Sequence, residues 1–385
     1  MKNVIRVSAG LLMVAVIYSF SACSRQKFAS ANNCGTGCVG LNQQGFGEYD
    51  YSYTTASNKT DLLFVDDNSA SMYVLQQNLG SKFPTLFNTL ASKDYHIGII
   101  NTDVVDTDNP ARSTLDGYPY TQNGALISFP DGSPFLTSNS ANPEQQFDQT
   151  IARPETLACQ NWIAANCDPF QGCTDPTAYR NACPSDDTRA IFAADLAIRN
   201  NPSGFIRDSS VPLNIVILSN ADERASGGVV SQYPIETQDQ PSNLLSDLSS
   251  QYPGKQVKIH SIVIPPGDQT CYNQQHISNT IFGWYGVIYD QAASLTGGVV
   301  STASNDGVCA SDYSGILSNI AMSLTNDDGS RELSCIPDNT FKPTLPAGLT
   351  NSFTVTPNPD GTAKLSFQPA LPPGTTVQLH INCTD

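Results

Sequence analysis

The sequence predicts an α/β protein in which residues 59–325 form a doubly wound, Rossmann-like sheet. Two observations predict this class. The apolar runs at Leu62–Val65 and Leu213–Ser219 are unbroken or nearly so, which is typical of strands buried on both faces of a parallel sheet. Apolar residues then recur at spacings of three and four over residues 72–90, which indicates a helix. Strands that alternate with helices predict parallel pairing through helical crossovers.

The remaining elements of this region follow in chain order. Further strands are expected over Tyr95–Asp103, Val257–Ile264 and Val299–Ser301, and helices over Asp187–Ala197, Tyr289–Leu295 and Asp312–Leu324. Residues 118–150 indicate an irregular hairpin built on Gly124–Phe129. Four cysteines between Cys159 and Cys183 mark a cysteine-rich insertion around residues 154–187, which we expect its own disulfides to hold together.

A change of character near residue 326 predicts a second, smaller unit. Residues 326–385 contain short strands separated by turns rich in Pro, Gly, Asn and Asp, which indicates a small antiparallel, sandwich-like β domain. Residues 48–58 alternate polar and aromatic side chains, and this predicted strand is expected to join the same unit. So small a unit buries little surface, and we expect a bond between Cys335 and Cys383 to support it.

The N-terminal residues 1–22 have the features of a secretory signal: basic residues, the short apolar stretch Ala9–Phe20, then small residues. Because Cys23 follows directly, they predict a bacterial lipobox with acylation of that sulfur. An ordinary signal peptide followed by a chance cysteine is the alternative. Residues 23–47 then form a polar, lipidated tether. The expected location is the cell envelope, as an outer-membrane lipoprotein that is periplasmic or surface-exposed and contacts the membrane through its lipid.

Cysteine count and charge limit the chemistry. The chain has 11 Cys, and removing Cys23 leaves an even set that an exported protein would hold as disulfides. Cys271 and Cys309 bracket one region and are expected to pair. A zinc site is disfavoured, because the 4 His are scattered and no Cys-x-x-Cys occurs. The formal charge of −16 argues against nucleic acid as a partner.

Oxygen-bearing side chains follow the first apolar strand. Asp67, Ser69 and Ser71 occupy alternate positions of one turn, at the carboxyl end of a predicted parallel strand, where ligands bind in such sheets. Three hard oxygens of this kind suit Mg²⁺, Mn²⁺ or Ca²⁺. No Gly-x-Ser-x-Gly, His-Glu-x-x-His or phosphate-binding motif occurs, so we do not expect an enzyme.

The stretch Leu62–Met72 resembles the opening strand and metal-ion-dependent adhesion site (MIDAS) of von Willebrand factor type A (VWA) domains, especially those of bacterial surface lipoproteins. The resemblance implies that Ser69 and Ser71 bind a divalent cation directly, while Asp67 holds its waters. The family adds a hydroxyl from the loop before a later helix. Thr188 is the candidate, with Ser185 and Thr174 behind it, and a helix-start role without metal is the alternative reading of Thr188.

The family normally has an Asp after the fourth strand, where this chain has Asn220. The resemblance gives this position the role of holding a metal-bound water. Asparagine keeps a carbonyl acceptor but removes a negative charge, so the cation affinity should fall unless another carboxylate compensates. Asp66 and Asp222 are the available carboxylates. Alternation directs Asp66 away from Asp67, which favours a structural role for Asp66.

The sequence therefore predicts an exported lipoprotein that binds a protein or glycan partner through a metal-dependent adhesion site, with the partner offering an acidic group. Asn220 keeps a second hypothesis open. In that alternative the VWA fold is a metal-free scaffold or assembly subunit of a cell-envelope complex.

Overall fold

A computed structural model gives the structure of most of the chain. The described residues are 48–55, 58–104, 121–168, 171–185, 187–229, 234–276, 282–325, 331–333, 335–358, 361–372 and 374–383. The predicted signal peptide, Cys23 and the tether lie outside them. Within these ranges, no helix combines the length and the apolar character needed to cross a membrane.

Ten strands and ten helices are named here within the described residues. The strands are Glu48–Thr54 (β1), Lys59–Asp66 (β2), Asp94–Asn101 (β3), Leu136–Thr137 (β4), Leu213–Leu218 (β5), Val257–Ile262 (β6), Arg331–Leu333 (β7), Ser352–Pro357 (β8), Ala363–Gln368 (β9) and Thr376–Asn382 (β10). The helices are Tyr73–Leu90 (α1), Pro143–Ile151 (α2), Pro154–Asn166 (α3), Pro176–Ala182 (α4), Ala190–Asn200 (α5), Arg224–Gly227 (α6), Pro241–Gln251 (α7), Gln269–Gln275 (α8), Val287–Leu295 (α9) and Ser314–Thr325 (α10).

The central sheet has five strands in the order β4-β3-β2-β5-β6. The four long strands run parallel, and β4 pairs antiparallel with β3 at one edge. β2 therefore lies in the middle, between β3 and β5. The predicted mixed α/β class with a parallel-rich sheet is confirmed, and the two continuous apolar runs form its neighbouring strands β2 and β5.

Side chains of β2 enter two different cores, one on each face of the sheet. Leu62 and Phe64 pack with apolar residues of α1, α2 and α10. Leu63 and Val65 pack with residues of α5, α7 and α9. Because helices cover both faces of the sheet, successive residues of β2 are buried on opposite faces. The alternation of buried and exposed residues that a half-exposed strand shows is therefore absent. The carboxyl end of β2 is thus held rigidly between two packed layers.

The C-terminal residues form a smaller β unit of two antiparallel sheets. One contains β7, β9 and β8 in that order, and the other pairs β1 with β10. In the second sheet Glu48 lies opposite Asn382 and Thr54 opposite Thr376. Side chains of β9 and β10 share one apolar cluster. A disulfide joins Cys335 to Cys383 in this unit.

Two predicted β elements are absent from the described structure. The segment Gly124–Phe129, predicted as one strand of a hairpin, is not a strand, although a turn follows it in which the Phe129 N–H donates to the Ser133 carbonyl over 2.9 Å. This segment instead runs beside β3, where the Ile127 N–H donates to the Ile99 carbonyl over 2.8 Å. Val299–Ser301 is not a strand, although the Ser261 N–H of β6 donates to the Val299 carbonyl over 3.0 Å. The Val299 N–H itself donates to a side chain, His260 Nδ1, over 3.0 Å, so the backbone pairing does not continue.

The cysteine-rich insertion is helical, which the sequence did not indicate. α3 and α4 each begin with a proline at the first helical position, where its missing N–H costs nothing. Disulfides join Cys159 to Cys183 and Cys167 to Cys173. The first of these is completely buried, so it forms part of a small core rather than a surface link.

His260 on β6 gives the first testable prediction, a dependence of stability on pH. Burial lowers the pKa of His260 to about 3, so the folded protein holds the ring neutral. The unfolded chain takes up a proton near pH 6.5, so stability is lost as the pH falls from 6.5 towards the folded pKa, at about 1.4 kcal/mol per pH unit. In His260→Asn the amide oxygen can accept the Val299 N–H without this titration.

Urea unfolding of the two proteins at pH 7 and pH 5 measures the effect. The wild type should lose about 2 kcal/mol more than His260→Asn over this interval, from the proton uptake of one group with an unfolded pKa of 6.5. Parallel loss of stability in both proteins would show that His260 does not carry the dependence.

Candidate functional site

Asp67, Ser69 and Ser71 lie on the motif turn, residues 67–72, between β2 and α1. The Asp67 N–H donates to the Leu218 carbonyl over 3.0 Å and so extends the pairing of β2 with β5. Oδ1 of Asp67 then accepts the Ser69 N–H over 2.9 Å, which closes the turn. The hydroxyl oxygens of Ser69 and Ser71 lie 3.5 Å apart, and both residues are half-buried. The motif thus presents two neighbouring hydroxyls at the edge of the sheet.

The end of β5 brings Asn220 to this turn. The Ser71 hydroxyl donates to Asn220 Oδ1 over 3.2 Å, and Asn220 Nδ2 lies 3.0 Å from the same hydroxyl oxygen. Asn220 Nδ2 also donates to Gln275 Oε1 over 3.1 Å. Four of the five predicted site residues, Asp67, Ser69, Ser71 and Asn220, are therefore joined by direct hydrogen bonds or hydroxyl contacts.

Ser219 is a site residue that the motif analysis does not find. Its hydroxyl donates to Asp67 Oδ2 over 2.6 Å and accepts the Ala221 N–H over 2.9 Å. Both carboxylate oxygens of Asp67 are consequently fixed, one by the backbone of Ser69 and one by Ser219. The only signal in the sequence is that a serine ends the strand predicted to neighbour β2.

Asp67 is fully buried, and burial raises the pKa of its carboxyl, against the opposing hydrogen bonds from Ser219 and Ser69. In the part of the chain that the structure describes, no basic side chain forms an ion pair with it. A buried carboxylate without a positive partner is costly. The donor set of one carboxylate, two hydroxyls and an amide oxygen consists of the hard ligands that Mg²⁺, Mn²⁺ and Ca²⁺ prefer. These residues therefore fit a divalent cation.

Thr188 lies at the same edge of the sheet, just before α5. Its carbonyl accepts the Arg224 N–H over 2.6 Å, and the next residue donates its N–H to the Thr102 carbonyl over 3.2 Å. These bonds place Thr188 between the ends of β3 and β5. Of the two weaker candidates, Ser185 donates its N–H to Asp103 over 3.1 Å, and Thr174 precedes α4 in the insertion.

A buried charge cluster holds the Thr188 loop in place. The side chains of Arg189 and Arg224 are fully buried. Arg189 Nη2 lies 2.6 Å from Asp239 Oδ1, and Arg224 Nη1 lies 2.9 Å from Asp187 Oδ2. Arg224 has a φ of 57°, a conformation that is rare outside glycine. Strained backbone of this kind persists only where its surroundings fix it, as these ion pairs do.

Asp66 and Asp222, the two carboxylates that could compensate for the charge missing at Asn220, both make hydrogen bonds with a structural role. Asp66 accepts a hydrogen bond from Gln76 Nε2 over 2.9 Å, and burial raises the pKa of its carboxyl well above the usual value. Asp222 accepts the N–H groups of Val287 and Ile288 over 3.1 and 3.0 Å, at the first turn of α9. Burial raises the pKa of Asp222 to about 7. The Asp222 carboxylate thus binds the N–H groups at the N-terminus of α9.

Aromatic residues form one rim of the site. The Trp284 N–H donates to the Asn220 carbonyl over 2.9 Å. Beside it the rings of Tyr272, His276 and Tyr285 stack, with Tyr272 at 5.0 Å from His276 and 4.8 Å from Tyr285. The disulfide between Cys271 and Cys309 anchors the helix that carries this rim.

Comparison with protein-family models gave no match, and comparison with curated proteins gave none. Similar solved structures include the pilus adhesin SpaC of Lactobacillus rhamnosus GG, with 12% identity, a TM-score of 0.35, and coverage of 90% of this chain and 42% of the adhesin. The type V pilus tip protein Mfa5 of Porphyromonas gingivalis has 11% identity and a TM-score of 0.25, with 89% and 66% coverage.

The proximal thread matrix protein 1 of the mussel byssus has 10% identity and a TM-score of 0.34, with coverage of 74% of this chain and 51% of that protein. Two of these three structures are bacterial pilus proteins. The chain spans less than half of the SpaC adhesin, and its own site residues are the basis of the functional proposal.

Proposed function

We propose that this protein is an exported lipoprotein whose VWA-type domain binds a macromolecular partner through a divalent cation held at the motif turn. The observation that carries the proposal is the Asp67 carboxylate, which is fully buried without an ion pair in the described structure, beside two half-buried hydroxyls. This arrangement destabilises the cation-free protein, and a divalent ion would remove that cost.

Residues of the motif turn and its neighbours would hold the ion in two ways, directly and through bound water. Ser69 and Ser71 would bind it directly, with Thr188 as the third hydroxyl, while Asp67 and Asn220 would hold its waters. The Ser71 hydroxyl donates to Asn220 Oδ1 and accepts from Asn220 Nδ2, so one lone pair of its oxygen is left to bind an ion. When bound, the cation supplies a coordination position for an acidic group of a protein or glycan partner.

The fold and the disulfides support the same proposal. A parallel sheet with β2 in its centre, helices on both faces and the site at its carboxyl edge fits a Rossmann-like VWA domain. Four disulfides within the described residues fit an oxidising compartment outside the cytoplasm. Together with the predicted signal and lipobox Cys23, they favour the cell envelope, with the lipid in the outer membrane. The proposed role is binding, not catalysis.

One observation favours the alternative of a metal-free scaffold or assembly subunit. Asn220 donates through Nδ2 to Gln275 and contacts Ser71 through the same amide, so the polar groups at this point already satisfy one another. An aspartate at this position would leave the Gln275 oxygen without its donor. The scaffold hypothesis therefore predicts that the site keeps this hydrogen-bonded form.

Calorimetric titration of Mg²⁺, Mn²⁺ and Ca²⁺ into the soluble form lacking residues 1–23 separates the two functions. We expect saturable binding below about 1 mM, the range of extracellular calcium modules. The double variant Asp67→Ala, Ser69→Ala should lose it. Asp208→Ala, Ser210→Ala is a matched control, because it removes the same kind of turn from an exposed position. Absence of binding by the wild type would favour the scaffold.

A further inference from the structure

Two carbonyl groups of the motif turn are held by side chains from outside it. The Asp67 carbonyl accepts a hydrogen bond from Gln76 Nε2 over 3.0 Å. The Asn68 carbonyl accepts one from the Thr156 hydroxyl over 2.9 Å. Thr156 belongs to α3, the first helix of the cysteine-rich insertion, and both donors are fully buried. α1 therefore holds the carbonyl of Asp67 through Gln76, and the insertion holds the carbonyl of Asn68 through Thr156.

The insertion also contacts the middle of the turn. Ala70, which lies between the two serines of the motif, packs in a small cluster with Cys159, Ile163 and Cys183. The disulfide between Cys159 and Cys183 is part of that cluster and is fully buried. Beyond Cys183 the chain donates the Ser185 N–H to Asp103 over 3.1 Å, so the end of the insertion is fixed at the same edge of the sheet.

The Ser69 side chain adds no capping hydrogen bond to the turn, which is closed by the bond from its backbone N–H to Asp67 Oδ1. Ser69 is the N-cap of the short 3-10 turn Ala70–Met72, yet its side chain makes no capping hydrogen bond. A serine hydroxyl normally stabilises a helix start by capping, and here that hydroxyl remains available to bind an ion. The spacing of the Ser69 and Ser71 oxygens then depends on the backbone, which the insertion contacts at Asn68 and at Ala70.

We propose that Thr156 and the Cys159–Cys183 disulfide are positioning groups of the cation site, so that cation affinity depends on an oxidised, docked insertion. This inference rests on the proposed function, because it concerns the same site. Groups that orient metal ligands from behind change metal affinity by roughly 10- to 100-fold when they are removed.

Thr156→Val tests the hydroxyl, since valine keeps the shape and removes the donor. In the full chain as exported, Mg²⁺ and Mn²⁺ affinity by calorimetry should fall roughly 10- to 100-fold. Thr156→Ser keeps the donor and should bind within about threefold of the wild type by the same reasoning. Leu90→Ala, at the far end of α1, lowers stability in a buried core position away from the turn and should leave affinity unchanged.

The disulfides provide a second, matched comparison within one insertion. Cys159→Ala, Cys183→Ala should reduce cation affinity by at least about tenfold, because it loosens the surface against which Ala70 packs. Cys167→Ala, Cys173→Ala removes the other disulfide, which closes a loop of sequence separation 6, and should leave affinity unchanged. In cation-free protein, amide hydrogen exchange at residues 69–72 should accelerate in Thr156→Val and in the first disulfide variant only.

The outcomes separate the two proposals. If the wild type binds no cation, the proposed function fails and this inference fails with it. If the wild type binds and Thr156→Val binds equally well, with unchanged exchange at the turn, the inference alone fails. Loss of affinity in Leu90→Ala to the same extent would also overturn it, because general destabilisation would then explain the effect.

Discussion

Asp67→Asn is expected to abolish cation binding and, in the same protein, to raise the stability of the cation-free state. The two effects have opposite signs because the Asp67 carboxylate is buried without a positive partner in the described structure. Asparagine can still accept the Ser69 N–H through Oδ1, while the Ser219 hydroxyl rotates to accept from Nδ2. We expect a gain of about 1 kcal/mol in the free energy of unfolding without cation, which is typical of a substitution that removes a destabilising functional group.

The effect of Asp67→Asn should also depend on pH. Burial raises the pKa of Asp67, so the folded protein binds this proton more tightly than the unfolded chain does. Its stabilising contribution is therefore present at low pH and is lost as the pH rises through the folded pKa. The advantage of Asp67→Asn over the wild type should grow from pH 4 towards pH 7 in chelator. Urea unfolding with and without Mg²⁺ measures both effects.

Asp66→Asn is the matched control for this experiment. Asp66 is the adjacent residue and is equally buried, but it faces Gln76 on the α1 side of the sheet. Its substitution should leave the response to Mg²⁺ intact. Destabilisation of cation-free protein by Asp67→Asn would argue that Asp67 has a purely structural role, and so would a retained Mg²⁺ response.

Gly298→Ala is expected to destabilise the protein by about 3 kcal/mol or more, at the upper end of the cost of overpacking. A Cβ at Gly298 would lie 1.7 Å from the Ile259 carbonyl oxygen. That oxygen belongs to β6, whose backbone is paired with β5 and covered by α9, so neither side can move away cheaply. Urea unfolding of the purified variant, or its loss from the soluble fraction, measures the effect.

Gly315→Ala provides the contrast. Gly315 lies in α10, and a Cβ there meets no atom within 4 Å. Replacing a glycine by alanine at a position that accepts alanine without strain is expected to stabilise the protein by roughly 0.4–1 kcal/mol, because alanine lowers the entropy of the unfolded chain. Similar changes in the two variants would show that the close approach of residue 298 to β6 does not exist in solution.

Continuous apolar runs allowed the two central parallel strands, β2 and β5, to be predicted, because a strand covered on both faces favours apolar side chains at successive positions. The insertion gave no such signal. Helix α4 has no buried residues, and the core beside α3 is built on the disulfide between Cys159 and Cys183. Their hydrophobic periodicity is therefore weak. The local features that indicate them are the prolines at their first positions and, for α4, the N-cap Asp175.

The candidate site also contains residues that the sequence indicates and residues that it does not. Asp67, Ser69 and Ser71 are neighbours in sequence, so spacing alone indicates their common role. Thr156 bonds to a residue 88 positions away, and Ser219 reaches Asp67 across 152 positions. Such contacts depend on the strand order, on the path of the insertion and on which face each residue takes. These relationships are defined by the folded structure, and the spacing of residues in a single sequence does not indicate them.

The pairing of the first and last described strands sets an order of assembly. The Thr375 N–H bonds to the Thr55 hydroxyl across 320 positions, so within the described structure β1 pairs only after β10 has been synthesised. The central sheet uses strands that end by Ile262 and can form earlier. During that interval β1 is an unpaired strand, open to pairing with other chains. The β unit closes last, and its closure removes that hazard.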